Sequence, residues 1–72
     1  PASVHIVEKI VNDFKTGRKD QEDFWIKLGD KFVLIRYYAV RNDKGEYLGV
    51  LEVTQDIKEI QQIVGEKRLV SE

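Results

Sequence analysis

The hydrophobic positions change their spacing once along the chain, from helical to alternating. Five apolar residues near the start recur at intervals of three and four, the spacing of one stripe on an amphipathic helix: Val4, Val7, Ile10, Val11 and Phe14. Ser3 is a typical N-cap and Gly17 a typical C-terminal stop. The pattern predicts a helix over residues 3–16.

Past a polar connector, apolar and polar residues alternate, which is typical of a β-strand with one buried face. Gly29-Asp30 then predicts a tight hairpin with a positive φ at Gly29. Residues 31–41 are apolar on both faces, which predicts a central strand.

A second hairpin is indicated by the segment Asn42-Asp43-Lys44-Gly45, which suits a type I turn followed by a left-handed glycine. In the strand that follows, Tyr47 is expected on the same face as Leu51 and Val53. Residues 23–55 are therefore predicted to form a three-stranded antiparallel meander.

The end of the chain has the signature of a second helix. Asp56 and Glu59 form a D-x-x-E capping pair, and Ile57, Ile60 and Val64 continue as an apolar stripe. We predict an exit helix over residues 57–70. The expected fold class is α+β, with the order helix, three-stranded meander, C-terminal helix, in a single partial domain over residues 1–72.

Composition narrows the functional classes. A 72-residue chain buries only roughly 60% of the surface that its unfolded form exposes. There is no cysteine, and 12 basic residues face 13 acidic ones, so we expect neither disulfides nor a nucleic-acid partner. No apolar run approaches the roughly 20 residues of a membrane span, so a cytoplasmic protein is expected. Because the chain begins at Pro1 and contains no Met, we expect a segment of a longer protein.

Catalysis is not expected from these residues. His5 is the single histidine, and the sequence has neither a G-x-S-x-G elbow nor a glycine-rich phosphate loop. The carboxylates between residues 18 and 23 lie in a polar connector, where solvent exposure is the favoured interpretation. We therefore predict that the chain is not an enzyme.

Several side chains have both a structural and a functional interpretation. His5 is a packing or surface residue, or a haem or metal ligand. Trp25 and Tyr38 are core or interface aromatics, or ligand contacts. Arg36 lies in an apolar strand and requires a partner, which is either a carboxylate such as Glu52 or an anionic ligand.

The stretch AVRNDKGEYLGVLEVTQDIKEI, residues 39–60, resembles the C-terminal signature of PAS domains. In that signature a D-x-x-G-x-x-x-G hairpin leads to a D-I-T exit. Gly45, Gly49, Asp56 and Ile57 match the pattern, Asp43 stands one residue closer to Gly45, and Lys58 replaces the threonine. The run of residues 3–26 looks like the PAS region attached to hemerythrin-like HHE domains in prokaryotes.

The resemblance implies a sensory or regulatory module without its first two strands. It implies a small-molecule site between the helix and the sheet, for which we name His5, Trp25, Arg36 and Tyr38, and a signal relay through Asp56 and Ile57. Because the missing strands leave the last strand with an open edge, we expect a homodimer through the sheet edge and the helices.

The alternative function is a haem-binding gas or redox sensor that uses His5 as its ligand. Haem is the only cofactor that the resemblance suggests, and none is established by the residues themselves.

Overall fold

The first element is a helix that begins and ends one residue earlier than predicted, so Ser3 lies inside it and not at its N-cap. The computed structural model describes residues 2–70, and the side chains of residues 4–70. Helix α1 spans Ala2–Lys15. Its end is closed by two amide hydrogen bonds, from Gly17 to the Phe14 carbonyl (3.2 Å) and from Arg18 to the Asp13 carbonyl (2.9 Å). These are the two bonds of a Schellman motif, so the predicted stop is confirmed.

The three strands form the predicted antiparallel meander. Strand β1 spans Gln21–Leu28, β2 spans Lys31–Arg41 and β3 spans Tyr47–Asp56, in the sheet order β1-β2-β3. Strand β2 is paired on both sides, as its two apolar faces predict.

Both hairpin turns have the predicted geometry. Gly29 has a φ of +60° and Gly45 a φ of +81°, values that L-residues with side chains rarely adopt. The Gly45 amide donates to the Asn42 carbonyl at 2.9 Å, which closes the type I turn. The Asn42 side chain strengthens this turn because its oxygen accepts from the Lys44 and Glu46 amides at 2.9 Å each.

A β-bulge changes the alternation at the start of β3. Val40 lies opposite Gly49, but Arg41 lies opposite Tyr47, so Leu48 is an extra residue on β3. Tyr47 is therefore out of phase with Leu51, and the prediction that they share a face was wrong. Alternation alone does not reveal an inserted residue.

The predicted exit helix over residues 57–70 is a second correction. The chain forms only a 3₁₀ turn over Ile60–Gln62, and Ile63 is already extended with a ψ of 129°. Its apolar residues are uncovered: Ile60 is 47% exposed and Val64 is 89% exposed. Most helical stability in proteins comes from the packing of an apolar face, and this segment has no surface beneath it.

Helix α1 lies over one face of the sheet and buries a small core. Ile10, Phe14 and Val33 are the buried apolar residues among those described, and Phe14 is fully buried. The other sheet face, away from α1, remains open and is called the outer face below. It carries Trp25, Phe32, Leu34, Arg36, Tyr38, Leu51 and Val53, which alternate with the residues under α1.

Candidate ligand groove between the helix and the sheet

A groove of about 520 Å³ runs between α1 and β1 on the helix-covered face. Its apolar lining comes from one side of the helix and from alternate residues of β1. The lining residues are Ile6, Val7, Ile10, Phe24 and Ile26, with the charged residues Lys9, Asp13, Lys19, Glu22 and Asp23. A mostly apolar cleft with a few polar groups is the usual form of a small-molecule site.

The groove is closed at one end and open at the other. At the C-terminal end of α1, Ile10 and Phe14 are 7% and 0% exposed. Toward the N-terminus, Ile6 is 59% exposed and Val7 is 41% exposed. An apolar ligand would therefore gain contacts mainly along the N-terminal half of the helix.

A buried carboxylate lies at the closed end. Asp13 is 4% exposed, and its side chain lies 3.1 Å from the Lys9 ammonium and 3.9 Å from the Arg18 guanidinium. A buried charge without partners would be strongly destabilising, and these two cations compensate it. Helical spacing does not single out Asp13, because a polar residue of an amphipathic helix is expected at the surface.

A second ion pair borders the groove at the connector. The Lys19 ammonium donates a hydrogen bond to Glu22 at 2.6 Å. This hydrogen bond, together with the charge of Glu22, raises the pKa of Lys19. The pair holds the connector against the start of β1.

Aromatic packing extends the groove face onto β2. The rings of Phe24 and Tyr37 meet edge to face, with centroids 5.5 Å apart. Tyr37 lies directly opposite Glu52 of β3. Burial raises the pKa of the Tyr37 phenol, and a hydrogen bond to Glu52 raises it further.

Three of the predicted ligand residues lie on the outer face. Trp25, Arg36 and Tyr38 alternate with Phe24, Ile35 and Tyr37, so they point away from α1 and do not line the groove. Trp25 is 62% exposed. Ligand binding by these residues stays a prediction, and it concerns a different surface from the groove.

The suggested pairing of Arg36 with Glu52 was wrong. Arg36 lies opposite Val53, whereas Glu52 lies opposite Tyr37 and on the other face. Asp23 is the residue opposite Arg36 on β1, but its carboxylate accepts from the Gln21 amide at 2.9 Å. Within residues 4–70, Arg36 is exposed and forms no ion pair.

The fourth predicted ligand residue, His5, lies on the exposed side of α1. Its side chain is 84% exposed and its Nδ1 lies 4.0 Å from Glu8. The groove does not fit haem, because its lining contains no histidine, cysteine or methionine to serve as an axial ligand. Haem binding through His5 stays a prediction outside the groove.

The predicted relay residues join the exit of β3 to the start of β2. The Asp56 carboxylate accepts hydrogen bonds from the Phe32 amide (3.3 Å) and the Lys58 amide (3.1 Å). The Ile57 amide donates to the Phe32 carbonyl at 2.7 Å. The chain leaving the sheet is therefore held by three bonds. The predicted helix cap by Asp56 and Glu59 is not formed, because the 3₁₀ turn starts after Glu59, which makes no side-chain cap.

Arg41 is a connecting residue that the sequence analysis also missed. Its guanidinium donates to the Phe14 carbonyl at 2.6 Å and to the Asp20 carboxylate at 3.0 Å. These partners are 27 and 21 residues away along the chain. Such contacts are invisible to spacing rules, since they depend on how the helix is placed over the sheet.

The helix and the meander together form an α+β architecture with a half-open groove between them. The family model described as "PAS domain" matches residues 1–58. The chain therefore belongs to the PAS domain family, and the resemblance of residues 39–60 to PAS domains is confirmed.

One solved structure is similar over most of the chain. It is the crystal structure of a C-terminal domain from Streptococcus mutans, which is 34% identical to this chain and superimposes with a TM-score of 0.80. The match covers 86% of this chain and 48% of that chain, so this chain spans about half the length of its structural relative. No curated protein matches significantly. Among residues 2–70, no helix has the length and apolar character needed to cross a membrane.

Proposed function

We propose that this chain is the part of a PAS sensory or regulatory module that binds a small apolar molecule between α1 and the sheet. The observation that carries the proposal is the groove itself. It is lined by Ile6, Val7 and Ile26, and it is open where these residues are exposed. Filling it would remove apolar surface from water, which favours binding.

Signal relay would follow from the hydrogen bonds at the exit of the sheet. Asp56 and Ile57 tie the departing chain to Phe32 at the start of β2. A ligand that shifts β1 and β2 under the helix would thus change the direction of the exit segment. This role is regulatory and requires no catalytic group.

Association of two copies is the second part of the proposal. Strand β3 pairs with β2 along one edge, and no strand within residues 2–70 covers its other edge. Such an edge offers free backbone groups to a second copy, and the helices would add contacts. Attachment to a hemerythrin-like domain rests on the resemblance of residues 3–26 alone.

The experiment is a fluorescence titration with 8-anilinonaphthalene-1-sulfonate, an anionic dye whose aromatic rings bind apolar surface. Val7→Glu places a charge in the groove and should weaken dye binding at least about tenfold. Val53→Glu is the matched control on the outer face, since Val7 and Val53 are 41% and 42% exposed. Equal loss in both variants, or loss in Val53→Glu alone, would contradict the proposal.

A further inference from the structure

The guanidinium of Arg41 joins three separate parts of the fold. Arg41 is the last residue of β2, and its side chain is only 21% exposed. Its Nε donates to Asp20, and its terminal nitrogen donates to the Phe14 carbonyl at 2.6 Å and more weakly to the Lys19 carbonyl at 3.5 Å. The planar fork of arginine presents separate donors to these acceptors in fixed directions, whereas a lysine ammonium would have to reach them all from one nitrogen.

The position of this cation matches the electrostatics of the helix. Phe14 lies in the last turn of α1, where the aligned peptide dipoles give the helix end a partial negative charge. The connector is tied to the same strand by a second bond, from the Ala39 amide to the Asp20 carbonyl at 2.9 Å. The C-terminal end of α1 is therefore bound to β2 through both its backbone and its connector.

At the opposite end of α1, the described side chains of residues 4–8 form no hydrogen bond or ion pair to the sheet. Ile6 and Val7 are partly exposed above the open end of the groove, and the ion pair of His5 is with Glu8 of the same helix. We propose that Arg41 is a positioning residue that fixes the C-terminal end of α1 on the sheet, so that the helix adjusts to a ligand only at its N-terminal half. The adjustment of the N-terminal half rests on the proposed groove function, whereas the anchoring of the C-terminal end does not.

Amide hydrogen exchange read by NMR tests the anchoring. Arg41→Ala should speed exchange at the end of α1, at the amides of Phe14, Thr16 and Arg18, by about tenfold relative to the β2 amides. Arg36→Ala is the matched control, because Arg36 lies on the same strand without an ion pair in the described part of the chain. Arg41→Lys should lie between the wild type and Arg41→Ala.

The proposal is overturned if Arg41→Ala changes these amides no more than Arg36→Ala does. It is equally overturned if all amides of the sheet and helix speed up together, since that pattern reports global stability alone. Should Arg41→Ala fail to fold, Asp20→Asn is the second variant, because it removes one charged partner of Arg41. It should still raise the amide exchange rates at the end of α1, and unchanged rates there would overturn the anchor.

The same dye separates this inference from the proposed function. In the wild type, dye should protect the amides of residues 6–10 and leave those of residues 14–18 unchanged, whereas in Arg41→Ala both groups should respond. Dye without effect in either protein would contradict the groove function while leaving the anchoring result intact. Equal responses along α1 in the wild type would overturn the N-terminal adjustment.

Discussion

At the scale of residues, single polar side chains link segments that are far apart in the sequence, and Asp56 is an example. Its carboxylate accepts from two amides that belong to different segments, at the start of β2 and at the beginning of the exit. An amide that loses such a partner must rely on water, and the cost grows with burial.

Replacing Asp56 by alanine is therefore expected to lower the free energy of unfolding by about 1 kcal/mol. Urea denaturation followed by circular dichroism measures this change. Asp43→Ala is the control, since Asp43 is exposed in the second hairpin turn. Equal stability of the Asp56 and Asp43 variants would show that the two hydrogen bonds contribute nothing.

Tyr37 gives the chain an alkaline pH dependence. Its folded pKa lies above the ordinary value of 10.0, because burial and the bond to Glu52 disfavour the phenolate. Above pH 10 the unfolded chain releases this proton while the folded chain keeps it, so stability contributed by Tyr37 falls as the pH rises.

Tyr37→Phe should therefore lose less stability between pH 9 and pH 11 than the wild type loses. Lys19, whose pKa is also raised, is present in both proteins and its contribution cancels. Tyr47→Phe, which keeps Tyr37 and Glu52, should behave like the wild type. A Tyr37→Phe variant with the full wild-type pH dependence would contradict the assignment.

At the scale of elements, hydrophobic spacing and turn residues predicted the structure well where local backbone conformation determines it. The spacing of Val4 to Phe14 predicted α1, and Gly29 and Gly45 predicted the two hairpins because few residues tolerate their φ values. The bulge at Leu48 was missed because an inserted residue leaves no regular trace in the sequence.

The exit segment shows the limit of local signals. Asp56 does accept a bond from the Lys58 amide, yet only the 3₁₀ turn Ile60–Gln62 follows, and its N-cap residue Glu59 makes no side-chain bond. Capping and apolar spacing favour a helix, but they do not supply a surface for Ile60 and Val64 to cover. The resemblance to PAS domains predicted that a site lies between the helix and the sheet. It did not predict the charged residues that line the groove, because tertiary contacts bring them together.

Amide protection should therefore fall sharply along the exit segment. The Ile57 amide, bonded to the Phe32 carbonyl, should exchange slowly, while the Val64 and Leu69 amides, which lie beyond the 3₁₀ turn, should exchange near the rate of an unfolded peptide. Hydrogen exchange by NMR measures the contrast. Strong protection through residue 70 would show that a helix forms there after all.

At the scale of the whole molecule, too much surface is exposed for a chain of this size. Its accessible surface is 6273 Å², against about 4,600 Å² for a compact protein of the same mass. Its Cα radius of gyration is 16.5 Å, against about 11 Å for a compact domain of this length. The open groove, the outer face and the exit segment account for this excess.

Self-association is the expected consequence. Sedimentation equilibrium over a concentration series should show a dimer at tens of micromolar. Adding charge at the open edge of β3 should weaken it, as Thr54→Lys would test, with Lys27→Glu on β1 as a control far from that edge. A stable monomer at these concentrations would contradict the proposed pairing.

The most direct test of the ligand groove is an NMR titration of the wild-type chain with 8-anilinonaphthalene-1-sulfonate. We expect the largest shift changes at Ile6, Val7 and Ile26, with Trp25 and Leu51 of the outer face almost unchanged. Changes centred on Trp25 and Leu51 would place binding on the outer face, and the central claim of a ligand site between α1 and the sheet would be wrong.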